Sequence, residues 1–141
     1  MNKVLYIILI SLFSLTVISC AKKSSTSTTT DNTTTSGAVT TLAGTGSTGS
    51  ANGTGTSASF NTPSGITTDG TNLYVADREN HLIRKIVIST GVVTTVAGTG
   101  SQGSANGTGT SASFKYPSGI TTDGTNLYVT DYLNHLIRQV E

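Results

Sequence analysis

From residue 64 onward the chain carries four short β-type runs, separated by Gly, Asp, Asn and Thr. Residues 64–69 form the first run. Residues 73–77 form the second, with Leu73, Val75 and Asp77 on one face and Tyr74 and Ala76 on the other. Residues 82–89 and 92–98 are the third and fourth. Alternation of this kind marks half-buried strands, since successive side chains of a strand point to opposite faces. Asp69-Gly70-Thr71-Asn72 and Ser89-Thr90-Gly91 supply turn residues: Gly for positive φ, Asp and Asn for side-chain caps. The pattern predicts an all-β, four-stranded antiparallel meander.

The meander repeats. Residues 37–87 recur at 91–141, 54 positions on, with 40 of 51 aligned residues identical. Such self-similarity means an array of one supersecondary unit. The predicted order is a lone fourth strand at residues 39–44, a full set of four at 64–98, and three strands within 118–140. Strand content is thus two units' worth, offset by one strand. A unit buries its faces against its neighbours, and arrays generally need three or more units to be stable alone. Ile120, Leu127 and Val129 would line an exposed face of a monomer.

In each copy Asn-His-Leu-Ile-Arg follows the second strand, at 80–84 and 134–138. This combination resembles the NHL repeat family, over roughly residue 39 to the C-terminus, and each unit then corresponds to a blade of a β-propeller. The resemblance implies NHL-type blades of four antiparallel strands, in two repeats, 37–90 and 91–141. Two blades cannot close a ring. The chain is then either part of an oligomeric ring, where residues 39–44 of one copy complete the last blade of another, or a piece of a longer propeller. A homotrimer would give six blades, a size the family uses.

Ahead of the repeats, Lys3 and an apolar run of about fifteen residues at 4–18 are too short for a membrane span and read as a signal peptide over 1–19. Val17-Ile18-Ser19-Cys20 resembles the bacterial lipobox, which makes Cys20, the only cysteine, the expected lipidation site. Two or three acyl chains give stable anchoring where one does not. Residues 20–36, rich in Ser and Thr, cannot bury enough surface to order and read as a tether. The expected address is the bacterial cell envelope. Ala21 after the cysteine is not the Asp of inner-membrane retention, which favours the outer membrane or cell surface.

Charge narrows the partners. The chain carries eight Lys and Arg against seven Asp and Glu, and loss of Lys3 with the leader balances them. Some NHL-repeat proteins bind RNA on a basic propeller face, and this chain lacks that charge; no nucleic acid is expected.

Gly44, Gly46 and Gly49 match a dinucleotide-binding spacing, but no helical period follows Gly49 and the pattern recurs at Gly98, Gly100 and Gly103; it fits a blade-to-blade linker. Within those linkers, 44–63 and 98–117, Phe60 and Phe114 are expected to pack between blades. His81 and His135 share one motif position without a carboxylate cluster, so neither metal nor cofactor is expected. In the family motif, Asn80-His81 and Asn134-His135 shape the turn. Asp77 and Asp131 can cap turn amides and pair with Arg84 and Arg138 on the next strand. Residues 69–72 lack the further acids of a calcium loop, and no serine sits in a nucleophile elbow.

Function enters where the copies differ. Asn61-Thr62 becomes Lys115-Tyr116, and Arg78-Glu79 becomes Tyr132-Leu133, in linker and turn positions that project from a propeller rim. Lys115, Tyr116, Tyr132 and Leu133 are the candidate partner contacts; drift in turns, or cover for an oligomer joint, explains the same changes. The expected function is a membrane-anchored, non-catalytic scaffold binding protein or glycan. The alternative is a fragment of a propeller that is an enzyme, a lyase or hydrolase, when complete.

Overall fold

A computed structural model describes residues 37–141. The leader, Cys20 and the tether lie outside the described residues. Residues Val39–Glu141 form one compact unit of eight strands. These are β1 (Gly53–Thr54), β2 (Pro63–Thr68), β3 (Asn72–Asp77), β4 (Leu82–Val87), β5 (Val92–Ala97), β6 (Pro117–Thr122), β7 (Leu127–Asp131) and β8 (Leu136–Val140). The first sheet runs β1-β5-β4-β3-β2 and the second β6-β7-β8, every pairing antiparallel. Two blades of a partial β-propeller stand side by side.

Turn chemistry fixes the inner hairpins. Asp69 Oδ1 accepts from the amides of Thr71 (2.8 Å) and Asn72 (2.7 Å), and Tyr74 returns its hydroxyl to Asp69 Oδ2 at 3.0 Å. Asp123, Thr125, Asn126 and Tyr128 repeat the arrangement. The Asn72 side chain leads the interactions that hold the Asp69 carboxyl well below its ordinary range. The Asn126 amide leads those at Asp123. Tyr74 is pushed up, first by burial and then by Asp69, and Tyr128 first by its bond to Asp123.

The blades join through one core: Ala76, Ile83 and Ala97 of the first meet Ala112, Phe114, Leu127 and Val129 of the second, with Ile120 packed against them. Leu127, Val129 and Ile120, expected on an exposed face, are instead covered because the first blade packs on that face. Phe114 is 1% exposed, worth about 1.5–3 kcal/mol for a side chain of its size. The inner strands β2 and β6 approach so closely that a Cβ on Gly65 would fall on the Ser118 carbonyl oxygen. A second cluster, Ala58, Val75, Ile86 and Val93, lies on the other face of the first blade, where Phe60 is only partly buried. The two phenylalanines hold equivalent positions. Phe114 has a blade in front of it; among the described residues Phe60 has none.

One strand expected from the sequence is absent. Residues 39–44 have no regular structure, and Val39 is 95% exposed. Their counterparts in the second copy form β5, which exists because β4 offers a free edge. The corresponding edge for residues 39–44 would belong to a blade preceding the first, and among the described residues the segment has no strand to pair with. In the other direction, the linker is more ordered than expected. Gly53 and Thr54 pair with Val93 and Val92, single 3-10 turns form at Gly55–Ser57 and Gly109–Ser111, and Ser59 Oγ accepts from the Ala51 amide at 3.0 Å.

Candidate functional site

Two groups of polar residues stand out, and they differ in kind. The first recurs in both blades. Asp77, fully buried, accepts from the Asn61 amide at 2.8 Å with Oδ1; its Oδ2 takes Asn80 Nδ2 (2.8 Å) and Arg84 Nη1 (2.7 Å). Arg84, equally buried, also donates to the carbonyls of Ser59 (3.2 Å) and Ala51 (3.0 Å) and to Asn52 Oδ1 (2.9 Å), and its guanidinium lies 5.3 Å from the Phe60 ring centre. The amide that Asp77 caps therefore belongs to the linker, 16 residues earlier, and not to the adjacent turn. The set is a clip that fastens linker to blade. Asp131, Asn134 and Arg138 build its twin: Asp131 accepts from the Lys115 amide at 2.7 Å and from Arg138 at 3.1 Å, and Asn134 Nδ2 reaches the Gly103 carbonyl at 2.7 Å. Here the Arg138 side chain remains 10% exposed. The bonds of these clips are made within the fold; the buried Arg84 Nε has no partner, and Arg138's bonds to Ala105 and Asn106 face solvent.

His81 and His135 end the 3-10 turns Arg78–Asn80 and Tyr132–Asn134 in the left-handed region, φ 57° and 56°. Each donates its amide back across the turn, to Arg78 and Tyr132 respectively. Their surroundings diverge beyond that. His81 Nδ1 accepts the Tyr116 amide at 3.2 Å, and the two rings meet edge to face at 4.7 Å, which leaves His81 6% exposed. His135 is exposed. The histidine thus latches one blade to the next. Among the described residues no three His, Cys, Asp or Glu side chains are grouped as metal ligands.

The second group lies on the rim where the two blades meet and is made of residues that differ between the copies. Arg78, from the first blade's turn, has its guanidinium 5.7 Å from the Tyr116 ring centre and 5.8 Å from that of Tyr132. Gln102 donates to the Tyr116 hydroxyl at 3.3 Å, and the Leu133 amide bonds the Lys115 carbonyl at 3.1 Å. Tyr132 is 55% and Leu133 40% exposed. The four candidate contacts are therefore neighbours, and Arg78 and Gln102 join them. Both were readable in principle, since positions 78 and 102 also differ from their counterparts Tyr132 and Thr48. What the sequence lacked was the joint that brings two blades' turns together.

Comparison with known proteins agrees with the blade geometry. Residues 60–86 match the NHL repeat. Over 46 residues the chain is 56% identical to NHL repeat-containing protein 2 of Gallus gallus, covering 33% of this chain and 6% of that protein; the Homo sapiens protein of that name is 54% identical over 44 residues, 31% of this chain and 6% of it. Among solved structures, a structural genomics protein of unknown function from Bacteroides thetaiotaomicron superposes with a TM-score of 0.63 at 30% identity, over 66% of this chain and 24% of that one. An auxiliary nutrient binding protein from Bacteroides ovatus gives 0.60 at 29% identity, over 67% and 26%. The chain thus spans about a quarter of those structures and a small part of the curated relatives.

Proposed function

We propose that this chain is a non-catalytic binding module of NHL type, anchored at the bacterial cell envelope through Cys20, that holds a protein or glycan on the rim between its blades. The observation that carries this reading is the sorting of residues: the recurrent Asp, Asn and Arg side chains are engaged in the internal clips, while five of the eleven positions that differ between the copies meet in one aromatic and cationic patch at the rim. Tyr and Arg are the residue types enriched at contact surfaces. The ring faces of Tyr116 and Tyr132 suit the C–H face of a sugar as well as an apolar side chain, and Arg78 and Gln102 supply donors for hydroxyl or carbonyl oxygens. The nutrient-binding description of one structural neighbour supports a binding role. Probing the full chain on a glycan array and an array of envelope proteins tests the proposal: selective retention is expected, and uniform absence of retention on both refutes it.

A further inference from the structure

We infer that the rim between the two blades is a subsite for a carboxylate-bearing sugar, the uronic acid unit of a glycan. This rests on the rim reading above and names its ligand class. The joint lies within the described residues: the Arg78–Asn80 turn of the first blade, the linker around Gln102, and Lys115 and Tyr116 at the entry to the second.

Arg78 is the anion receptor. The other two arginines of the blades have their Nη groups engaged by clip oxygens: Arg84 by Asp77, Ser59, Ala51 and Asn52, and Arg138 by the equivalent set. Arg78 differs. Among the described residues its guanidinium makes no hydrogen bond. Glu79 Oε1 stands 4.0 Å from Nη1, too far for one, and about a third of each side chain is exposed. Aromatic rings site the group instead, Tyr116 at 5.7 Å and Tyr132 at 5.8 Å. A cation–π contact consumes no N–H group, so the planar fork stays available to the two oxygens of a carboxylate. Lys115 adds a second cation, and Arg78, Lys115 and Glu79 together leave the rim positive on a chain that is close to neutral.

The neighbouring groups suit a sugar better than a peptide carboxylate. Gln102 Nε2 donates to the Tyr116 hydroxyl at 3.3 Å, which leaves the Tyr116 O–H proton and the Gln102 carbonyl oxygen for a ligand. One donor and one acceptor side by side match ring hydroxyls, which both give and accept. Ser101 and Ser104 flank Gln102 and keep the approach polar. The Tyr132 ring supplies a flat face for the C–H side of a pyranose. Size points the same way. A stable protein interface engages about 20–30 residues a side. The patch consists of Arg78 and the divergent positions 102, 115, 116, 132 and 133, an extent suited to a short stretch of glycan.

Calorimetric titration of the full chain tests this. The probes are galacturonate and glucuronate oligosaccharides, the same sugars fully methyl-esterified, and a glutamate peptide of matched charge. Binding of a free acid is expected, weakened about tenfold or more by esterification, which removes the charge and keeps the sugar. Arg78→Gln should cause a loss of similar size at an unchanged Tm. Lys85→Gln takes the same charge from β4 and installs the residue that position 139 already carries, so it should bind as the parent does. Equal binding of ester and acid overturns the inference, as does equal weakening by the two substitutions. A glutamate peptide that binds as tightly as the sugar also overturns it, and so does the absence of binding by every probe. The glycan and envelope-protein arrays separate such a failure from failure of the rim reading: retention there leaves the rim as a binding surface without its uronate, and no retention removes both.

Discussion

The two copies of the Asp–Arg clip provide a paired experiment in burial. Asp77→Ala removes three acceptor contacts at once, those to the Asn61 amide, Asn80 and Arg84. Arg84 is left charged, with no exposed surface, on two carbonyls and one side-chain amide oxygen. Breaking a buried pair from one side costs about 3–5 kcal/mol, because the surviving charge has no water to turn to. Asp131→Ala removes the equivalent contacts, but the Arg138 side chain is 10% exposed and its bonds to Ala105 and Asn106 face solvent. Water then takes up part of the loss, and the cost falls to about 1–3 kcal/mol, that of an unsatisfied hydrogen-bonding group. Amide hydrogen exchange resolved to β3–β4 and β7–β8, together with urea melts at low protein concentration, reads the two costs separately. A larger effect for Asp77→Ala is expected. Equal costs under dilute conditions would refute the assignment of the difference to exposure.

Gly65→Ala should destabilise the blade joint by more than 1 kcal/mol, since the new Cβ meets the Ser118 backbone and not a yielding side chain; a calorimetric Tm unchanged from the parent contradicts that packing. The Asp69 and Asp123 carboxyls are depressed in the fold, so their contribution is present above the unfolded carboxylate value of about 3.9 and is lost as pH falls through the lower folded value. The raised Tyr74 and Tyr128 contribute below about pH 10 and lose that contribution as pH climbs through their folded values. Tm measured against pH should show both limbs, and Asp69→Asn with Asp123→Asn should flatten the acid one; an unaltered acid slope counts against the hairpin caps. Cys20→Ser should move the chain from the membrane to the soluble fraction of cells, and retention in the membrane would remove the lipid anchor from the account.

Strands were legible because alternation and turn residues are local signals. Residues 64–69 and 92–98, read as β-type runs bounded by turn residues, match β2 and β5 to within a residue at each end. The same local signal misled at residues 39–44, which carry the composition of β5 but not its partner: a strand is a property of two edges, and among the described residues no second edge lies beside this segment. The short β1 was hidden for the opposite reason. The segment is two residues long and contains Gly53, a poor strand former, and it pairs because β5 passes beside it. The acid–base pairing of Asp77 with Arg84 was visible as a repeated spacing of seven, yet its real purpose, holding a linker amide 16 residues away, depends on tertiary placement. The rim patch was half visible. Divergence between the copies pointed to Lys115, Tyr116, Tyr132 and Leu133, whereas Arg78 entered only through the geometry that sets it between two tyrosines of the next blade.

Recurrent residues build the blades and divergent residues bind: this claim is tested most directly by returning part of the second copy to the first. Tyr132→Arg with Leu133→Glu installs residues that the same turn already carries in the first blade, so the fold has a native precedent for them. Retention on the glycan and envelope-protein arrays is measured beside the Tm of the same sample. The account predicts a Tm within a few degrees of the parent and at least a tenfold loss of retention. Full retention with an intact fold would place the binding surface elsewhere and contradict it.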